Sequence, residues 1–232
     1  MKNLLMIGAS YGIGLTLAQS LKEGNTIYIA SRTHANIKDT NFSHIPFDVL
    51  TDTFPIEKIP TVIDGLVYCP GSINLKPFKN IKPEAFLEDF QINFLGMVRV
   101  LQAVLPNLLA SNSPSIVLFS SVAATLGMPF HTSVAASKAA IEGFAKSFAA
   151  EFATKIRINV VAPSLTDTPL AEKFLNTDVK REKAAERHPL KKFGTTNDSA
   201  ALAKFLLEDQ SNWITGQVFH VDGGMSSIFM NA

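Results

Sequence analysis

Three glycines stand where an apolar run passes into a segment of helical periodicity. In the stretch LLMIGASYGIG these are Gly8, Gly12 and Gly14. Glycine lets the backbone turn sharply and approach a ligand closely, and a helix N-terminus offers free N–H groups and a positive dipole end. The combination predicts a site for a pyrophosphate. A tight strand–helix turn without a ligand is the alternative, because a glycine turn alone is weak evidence.

A second group of reactive side chains lies in the stretch HTSVAASK, residues 131–138. His131 carries an imidazole, which titrates near neutral pH and is the commonest proton shuttle in enzymes. The ammonium of Lys138 follows among small alanine side chains, which favours a functional role for its charge. The plainer interpretations are an exposed or capping histidine and a solvated helix lysine.

These groups belong to a chain of 232 residues with 47% hydrophobic and 18% charged residues, which is typical of a globular protein. The net charge is +1 and no basic stripe is present, so neither nucleic acid nor a membrane is expected as a partner. Cys69 is the only cysteine, so no internal disulfide and no metal site are expected. No apolar run approaches the length of a membrane span or an export signal, which predicts a cytoplasmic protein.

Strand-like runs alternate with amphipathic helical segments along the chain. The strands are predicted at residues 3–7, 26–30, 63–69, 115–120, 156–162 and 217–221, and the helices at 12–22, 83–111, 132–153 and 197–207. Most of the runs are apolar throughout, as strands covered on both faces should be. The pattern predicts an α/β fold, a doubly wound parallel sheet with helices on both faces, in a single domain spanning 1–232. Such sheets bind ligands beyond the carboxyl ends of their strands.

Five motifs occur in one order along the chain: the glycine pattern, INFLG around Asn93, VLFSS ending at Ser121, INVVAPSLTDTP, and ITGQVFHVDGG. Together they resemble the short-chain dehydrogenase/reductase family, and they cover essentially the whole chain. The resemblance implies a Rossmann-type sheet, a nicotinamide cofactor and hydride transfer to or from a carbonyl or alcohol. A small molecule is therefore the expected substrate.

The end of the second strand bears on the choice of cofactor. In dinucleotide-binding folds an acidic residue here holds the ribose 2′-OH of NAD. This chain instead has Ser31 and Arg32, and a guanidinium suits a 2′-phosphate. We therefore predict NADP(H) in preference to NAD(H). A solvated Arg32 and an NAD(H)-dependent protein are the alternatives.

The resemblance places further residues at the cofactor. It implies that Asp48 contacts the adenine, although a turn or cap aspartate is nearly as consistent with the spacing. It places Gly71 beside the ribose and Thr168 at the nicotinamide carboxamide, although Thr166 and Thr168 could equally be helix caps. The complete predicted set is Gly8, Ser10, Tyr11, Gly12, Ile13, Gly14, Ser31, Arg32, Asp48, Val49, Gly71, Lys138, Pro163, Thr166 and Thr168.

Family members use a tyrosine as general acid/base, with a lysine four residues later, a serine before it and an asparagine upstream. Here Lys138, Ser121 and Asn93 fill three of these positions, and Val134 stands where the resemblance implies the tyrosine. The resemblance implies that Lys138 holds the ribose, that Ser121 binds the substrate oxygen and that Asn93 supports a water-linked proton path. Valine can neither donate nor accept a proton.

Two hypotheses follow from Val134. In the first, the chain is an oxidoreductase with an altered proton donor, either His131, three residues before Val134, or a water bound through Asn93. Ser133 is a poorer substitute, because adjacent helical residues point about 100° apart. In the second, the chain is a pseudoenzyme that binds NADP(H) as a sensor or assembly partner.

Residues 169–189 fall where the resemblance implies a substrate-binding lid. Leu170, Phe174 and Leu175 are candidates to line an apolar pocket or to pack in the core. Arg187 and His188 are candidates to contact an anionic substrate, although a solvated surface is the favoured alternative. The helices at 83–111 and 132–153 carry many small side chains, and in the family they pair across a two-fold axis. A homodimer or homotetramer is therefore expected.

Overall fold

Parallel strands form one sheet in the computed structural model, which describes residues 1–34, 36–37 and 42–229. Within these ranges the strands are β1 (Lys2–Ile7), β2 (Asn25–Ser31), β3 (Phe42–Pro46), β4 (Gly65–Tyr68), β5 (Ser115–Phe119), β6 (Arg157–Pro163) and β7 (Val218–Val221). Their order in the sheet is β3-β2-β1-β4-β5-β6-β7, and every neighbouring pair is parallel. The predicted doubly wound parallel sheet is confirmed. The chain reverses its direction of travel across the sheet between β1 and β4, and ligand sites form at such a point.

Helices cover both faces of the sheet. They are α1 (Gly12–Leu21), α2 (Pro83–Phe90), α3 (Gly96–Leu109), α4 (Thr132–Phe152), α5 (Glu172–Leu175), α6 (Asp178–Glu186) and α7 (Thr196–Leu207). Helices α1 and α7 contact each other, and α2 contacts α4.

Two apolar cores follow from the alternation of side chains along each strand. In β1, Leu5 and Ile7 point into the core that also holds residues of α3 and α4, whereas Leu4 and Met6 point into the core that holds residues of α1 and α7. All four side chains are buried. The strands are therefore continuously apolar because they are covered on both faces, as the sequence analysis assumed.

Two element boundaries differ from those predicted. Strand β3 was not among the predicted strands, because Ser43 and His44 interrupt its apolar pattern and it pairs only with β2, at the edge of the sheet. The helix predicted at 83–111 is instead α2 followed by α3, with a π-helical turn over Gln91–Leu95 between them.

The π-helical turn is held by the hydroxyl of Tyr68, which donates to the carbonyl oxygen of Ile92 at 2.6 Å. A Cβ at Gly96 would lie only 2.6 Å from that hydroxyl, so the glycine leaves the space that the contact needs. Such turns occur mostly at functional sites. Here the turn carries Asn93, whose side chain is fully buried.

The helical stretch Pro83–Leu109 is long and apolar enough to span a membrane by length and composition, contrary to the sequence expectation that no such run exists. One face of α3 is buried against the sheet through Met97, Val100, Val104 and Leu108. The stretch is therefore a core helix, and its apolar composition is explained by packing.

Candidate active site

A cavity of about 700 Å³ opens at the carboxyl ends of the strands. The loops that follow β1, β2, β4, β5 and β6 line it, together with the segment 169–189 that was predicted as a lid. This is the edge at which parallel α/β sheets bind their ligands. All the predicted cofactor residues line the cavity, and so do Ser121, His131 and Lys138 of the predicted catalytic residues.

The turn after β1 needs glycine both because of its backbone conformation and because neighbouring atoms pack closely against it. Gly8 and Gly12 have φ values of +71° and +59°, in the left-handed region that favours glycine. A Cβ at Gly8 would lie 2.8 Å from Pro70, and one at Gly14 would lie 2.7 Å from the Cα of Ala9. The backbone of this turn therefore lines the cavity without side chains in the way.

The N-terminus of α1 opens into the same part of the cavity. Tyr11 occupies the N-cap position, but its side chain makes no capping hydrogen bond, and the first turn carries no acidic residue. The buried Ser10 and the partly buried Ile13 flank this helix start. Uncapped N–H groups and the positive end of the helix dipole suit an anion.

The end of β2 contributes one cationic side chain. Arg32 is exposed on the cavity wall, and among the described residues no acidic side chain pairs with it. Ser31 is buried, and its hydroxyl donates to the carbonyl of Thr33 at 2.8 Å. Arg32 is therefore the residue here with a free polar group, and Ser31 supports the turn that presents it.

Beyond β3, Asp48 and Val49 line the cavity next to Arg32. One carboxylate oxygen of Asp48 accepts from the N–H of Leu50 at 2.9 Å, so the turn interpretation of this aspartate is correct for that oxygen. The carbonyl of Val49 accepts from Arg99 at 2.8 Å. Asp48 is the only acidic residue among the described residues that line the cavity.

Residues after β6 close the cavity opposite the glycine turn. Pro163 ends the strand, and Thr168 lies so close to Gly12 that a Cβ there would be 3.5 Å from its Cγ2. The hydroxyl of Thr166 donates to the carbonyl of Ser164 at 2.9 Å. Thr168 occupies the N-cap position of the helical turn Pro169–Ala171 but makes no side-chain cap hydrogen bond, because its hydroxyl donates to the carbonyl of Thr166.

Lys138 extends from α4 to the floor of the cavity. Its ammonium is buried and donates to the carbonyl of Phe119 at 2.9 Å. Burial lowers the pKa of Lys138 to about 8, against the opposing influence of Cys69 and the Asp89 carboxylate. A Cβ at Gly71 would lie 3.4 Å from the ammonium, so that glycine leaves it accessible from the cofactor side. The solvated-lysine alternative is wrong.

Ser121 and Val134 face the cavity on either side of Lys138. The hydroxyl oxygen of Ser121 accepts from the N–H of Ala123 at 3.2 Å, which leaves its proton available for a ligand. Val134 lies one helical turn before Lys138 and is 5% exposed. Its side chain gives this part of the wall an apolar surface and no titratable group.

Among the described residues, no tyrosine from another part of the chain places its hydroxyl next to Val134. Of the three tyrosines, all within the described residues, Tyr11 alone lines the cavity, and it does so at the start of α1. Tyr28 packs against a core. Burial raises the pKa of Tyr68 above its ordinary value, and its hydroxyl is used in the π-helical turn.

His131 occupies the N-cap position of α4, which begins at Thr132, so it lies just before the first helical residue. Its Nδ1 donates to the carbonyl of Pro129 at 2.7 Å, which leaves Nε2 as the group that can act on a ligand. The preceding residue, Phe130, has φ +71°, a strained conformation for a bulky side chain. The imidazole is on the cavity wall.

Asn93 does not line the cavity, unlike the other predicted catalytic residues. Its amide Nδ2 donates to the hydroxyl of Ser72 at 2.9 Å and to the carbonyl of Asp89 at 2.7 Å. The N–H of Ser72 donates to its Oδ1 at 3.4 Å. Asn93 therefore reaches the cavity through Ser72, which does line it.

Asp89 and Ser72 are polar residues of this region that the sequence analysis did not identify. Asp89 is fully buried, and its carboxylate accepts from Ser72, from Asn74 at 2.8 Å and from Ser133 at 2.6 Å. The available signal was the spacing, since an aspartate one helical turn before Asn93 in an otherwise apolar face is unusual.

Residues of the segment 169–189 line the cavity, but two of its side chains differ from expectation. Leu175 is buried and does not line the cavity, so only its core alternative is correct. His188 is buried rather than solvated, with Nδ1 donating to Ala184 at 2.7 Å and Nε2 lying 2.8 Å from the hydroxyl of Ser164. Lys173 joins the lid to the opposite wall by donating to the carbonyl of Ile73 at 3.0 Å.

The cavity wall is strongly basic. Six basic residues line it among the described residues, against the single aspartate: Arg32, Lys138, Lys173, Lys180, Lys183 and Arg187. Arg187 thus belongs to the wall of the site. A wall with this imbalance attracts anionic ligands.

Comparison with known proteins gives consistent matches over nearly the whole chain. A family model described as enoyl-(acyl carrier protein) reductase matches residues 8–226. The chain is 33% identical to the 3-oxoacyl-[acyl-carrier-protein] reductase of Thermotoga maritima, over 97% of each chain.

Two solved structures show the same architecture. The aldohexose dehydrogenase of Thermoplasma acidophilum has a TM-score of 0.90 and 28% identity, covering 100% of this chain and 97% of its own. ElxO with NADP bound has a TM-score of 0.89 and 29% identity, covering 98% of this chain and 100% of its own.

The buried ammonium predicts a pH-dependent stability. Because the pKa of Lys138 falls from 10.5 to about 8 on folding, the unfolded chain binds more protons between these values, and stability rises with pH there. The free energy of unfolding of the parent, minus that of Lys138→Met, should increase between about pH 8 and pH 10.5 by on the order of 3 kcal/mol. Chemical denaturation followed by circular dichroism measures this difference.

Lys146→Met is the matched control, because Lys146 is an exposed lysine of the same helix. Its stability difference from the parent should stay constant over the same pH range. A constant difference for Lys138→Met as well would show that the Lys138 ammonium is not desolvated in the folded protein.

Proposed function

We propose that this chain, which belongs to the short-chain dehydrogenase/reductase family, is an NADP(H)-dependent oxidoreductase. It would transfer a hydride between the nicotinamide and a small carbonyl or alcohol substrate. The observation that carries the proposal is the glycine turn at the start of α1, where the helix N-terminus opens to the cavity and has no capping side chain.

The residues present fit a phosphorylated dinucleotide. The uncapped N-terminus of α1 suits the pyrophosphate, and any side chain at Gly14 would collide with Ala9. The six-to-one excess of basic residues on the wall favours a polyanion. Pro163, Thr166 and Thr168 would enclose the nicotinamide end, and Asp48 and Val49 the adenine end.

Arg32 favours NADP(H) over NAD(H). A free guanidinium on the wall can hold a 2′-phosphate, and no carboxylate at the end of β2 repels it. ElxO, 29% identical, has been solved with NADP bound. We extend that preference to this chain on the basis of Arg32.

The bound cofactor would supply or accept the hydride, and the chain would orient the substrate and manage its proton. Lys138 would hold the ribose hydroxyls, since its ammonium lies beside Gly71. Ser121 would donate its free proton to the substrate oxygen. Val134 stands at the position implied for the tyrosine, so the proton must come from another group. His131, through Nε2, and a water bound by way of Asn93 are the two candidates carried over from the sequence.

The substrate is proposed only as a class. The similar proteins include a 3-oxoacyl-[acyl-carrier-protein] reductase and an aldohexose dehydrogenase, whose names are consistent with a carbonyl or alcohol substrate. The basic lid residues Lys183 and Arg187 favour a substrate with a negative charge.

A second candidate function is an NADP(H)-binding pseudoenzyme that acts as a sensor or assembly partner. The buried, apolar Val134 favours it, because the side chain at this position cannot donate or accept a proton. A tyrosine-to-phenylalanine variant of ElxO has been solved with NADPH bound. A relative therefore binds NADPH with phenylalanine in place of one of its tyrosines.

We also infer self-association and a cytoplasmic setting. Gly143, on the exposed side of α4, has open space around its Cα, which suits a second copy packing closely as a homodimer or homotetramer. Burial raises the pKa of Cys69 to about 12, and a chain with a single cysteine has no internal disulfide to lose in a reducing compartment.

Arg32→Ala should weaken NADPH binding by about tenfold or more, because a charge-assisted hydrogen bond to a phosphate contributes about 1.5–3 kcal/mol. NADH affinity should change less than about twofold. Isothermal titration calorimetry with each nucleotide measures both.

Lys79→Ala is the matched control, since Lys79 is an exposed cation outside the cavity wall. If Arg32→Ala affected both nucleotides equally, the 2′-phosphate assignment would be wrong. If the parent bound neither nucleotide, the proposed function itself would be wrong.

Val134→Tyr separates the two candidate functions. For an enzyme that lacks its best proton donor, a phenol at this position should raise kcat with NADPH and a carbonyl panel by about 10²-fold. Val134→Phe, which adds the ring without the hydroxyl, is the control and should give no gain. A parent that binds NADPH but consumes none, with activity appearing only in Val134→Tyr, would establish the pseudoenzyme. His131→Ala should reduce parent turnover if His131 is the donor.

A further inference from the structure

We propose that Ser72 and Asp89 form a proton relay that serves the cavity in place of a tyrosine. The inference rests on the proposed oxidoreductase function and replaces His131 as the group that exchanges the substrate proton. Ser72 lies on the cavity wall between Gly71 and Ile73, and Asp89 lies directly behind it.

Asp89 is held in place by hydrogen bonds that converge on its carboxyl group. It is fully buried, and its two oxygens accept from Ser72 and Asn74 on the loop after β4 and from Ser133 on α4. The Lys138 ammonium interacts electrostatically with the same group. Burying a carboxyl group in a helix that could carry an apolar residue is costly, and a role in proton transfer would account for it.

Ser72 is the link between that carboxylate and the cavity. Its hydroxyl proton is directed to Asp89, and one lone pair accepts from Nδ2 of Asn93 at 2.9 Å. The N–H of Ser72 donates to Oδ1 of the same amide, which fixes the orientation of the amide. A hydroxyl oxygen has two lone pairs, so one remains for a donor in the cavity. The Ser72 oxygen can therefore accept a hydrogen bond from a ligand in the cavity, and the Asp89 carboxylate behind it can accept the Ser72 proton.

The step proceeds in alcohol oxidation as follows. The substrate O–H proton moves to Oγ of Ser72, while the Ser72 proton moves to the carboxylate of Asp89, leaving a neutral carboxylic acid. The C–H bond of the carbinol carbon breaks, its electron pair leaves with the hydrogen for an oxidised nicotinamide, and a C=O bond forms. Carbonyl reduction reverses each movement, with Asp89 returning the proton through Ser72.

The neighbouring hydroxyl of Ser133 supplies an internal comparison. Ser72 and Ser133 each donate to Asp89, on different carboxylate oxygens, but Ser133 is buried and absent from the cavity wall. A purely structural carboxylate would respond alike to the loss of either bond. A relay depends on Ser72 far more than on Ser133.

The experiment compares Ser72→Ala with Ser133→Ala in alcohol oxidation with NADP⁺. Ser72→Ala should lower kcat by roughly 10²-fold, with KM and the NADPH dissociation constant within about twofold of the parent. Its solvent deuterium isotope effect should differ from that of the parent, because the proton is then transferred by another route. Ser133→Ala should stay within about threefold in kcat, and Ser72→Thr, which keeps the hydroxyl, should restore most of the activity.

A second readout does not depend on turnover. Infrared difference spectra of the NADPH complex, recorded across a pH series, should contain a protonated-carboxyl band that disappears in Asp89→Asn and persists in Ser133→Ala. Absence of that band at every pH at which the protein is folded would overturn the relay.

The remaining outcomes also decide between explanations. Equal losses in Ser72→Ala and Ser133→Ala, or a loss in NADPH affinity alone for Ser72→Ala, would overturn the relay and assign Ser72 to structure or to the ribose. An active parent with unchanged Ser72→Ala would reject the relay and leave the oxidoreductase function standing. A parent inactive on every alcohol and carbonyl tested would reject both.

Discussion

The buried ammonium of Lys138 is the charge around which the floor of the cavity is organised. Removing an ammonium from water is unfavourable unless polar groups replace the water. The carbonyl of Phe119, at the end of β5, supplies one such group. The Asp89 carboxylate supplies an opposing charge, and Gly71 leaves the approach to the ammonium open. Helix α4, strand β5 and the loop after β4 therefore meet at one positively charged point.

In the proposed relay, the groups that exchange the proton would lie on a different part of the wall from Val134. Val134 gives the wall next to Lys138 an apolar surface, whereas the polar groups lie behind the loop after β4. The π-helical turn brings Asn93 against Ser72, and α2 brings Asp89 one turn earlier. In this arrangement one side of the cavity would hold the cofactor and the other would exchange the proton. A chain with a phenol at position 134 would combine both tasks on α4.

The sequence was sufficient for the parallel sheet and for the position of the cavity that its predicted residues line. Continuous apolar strands and a glycine turn have few physical explanations, so the parallel sheet and the position of the cavity followed from them. The edge strand β3 was missed because polar residues interrupt its apolar pattern and because it pairs with only one neighbouring strand. Asp89 and Ser72 were missed for a different reason, since their meaning depends on a π-helical turn and a loop coming together. His188 and Leu175 were misjudged because helical charge patterns do not reveal which residues a lid buries.

The hydrogen bond from Lys173 to the carbonyl of Ile73 joins two parts of the chain a hundred residues apart. Ile73 is the immediate neighbour of Ser72, so the segment 169–189 contacts the backbone beside that hydroxyl. If this segment moved away to release a product, the hydrogen bond would break and the backbone beside Ser72 would lose one restraint. Product release would then be coupled to the geometry of the proposed Ser72–Asp89 pair.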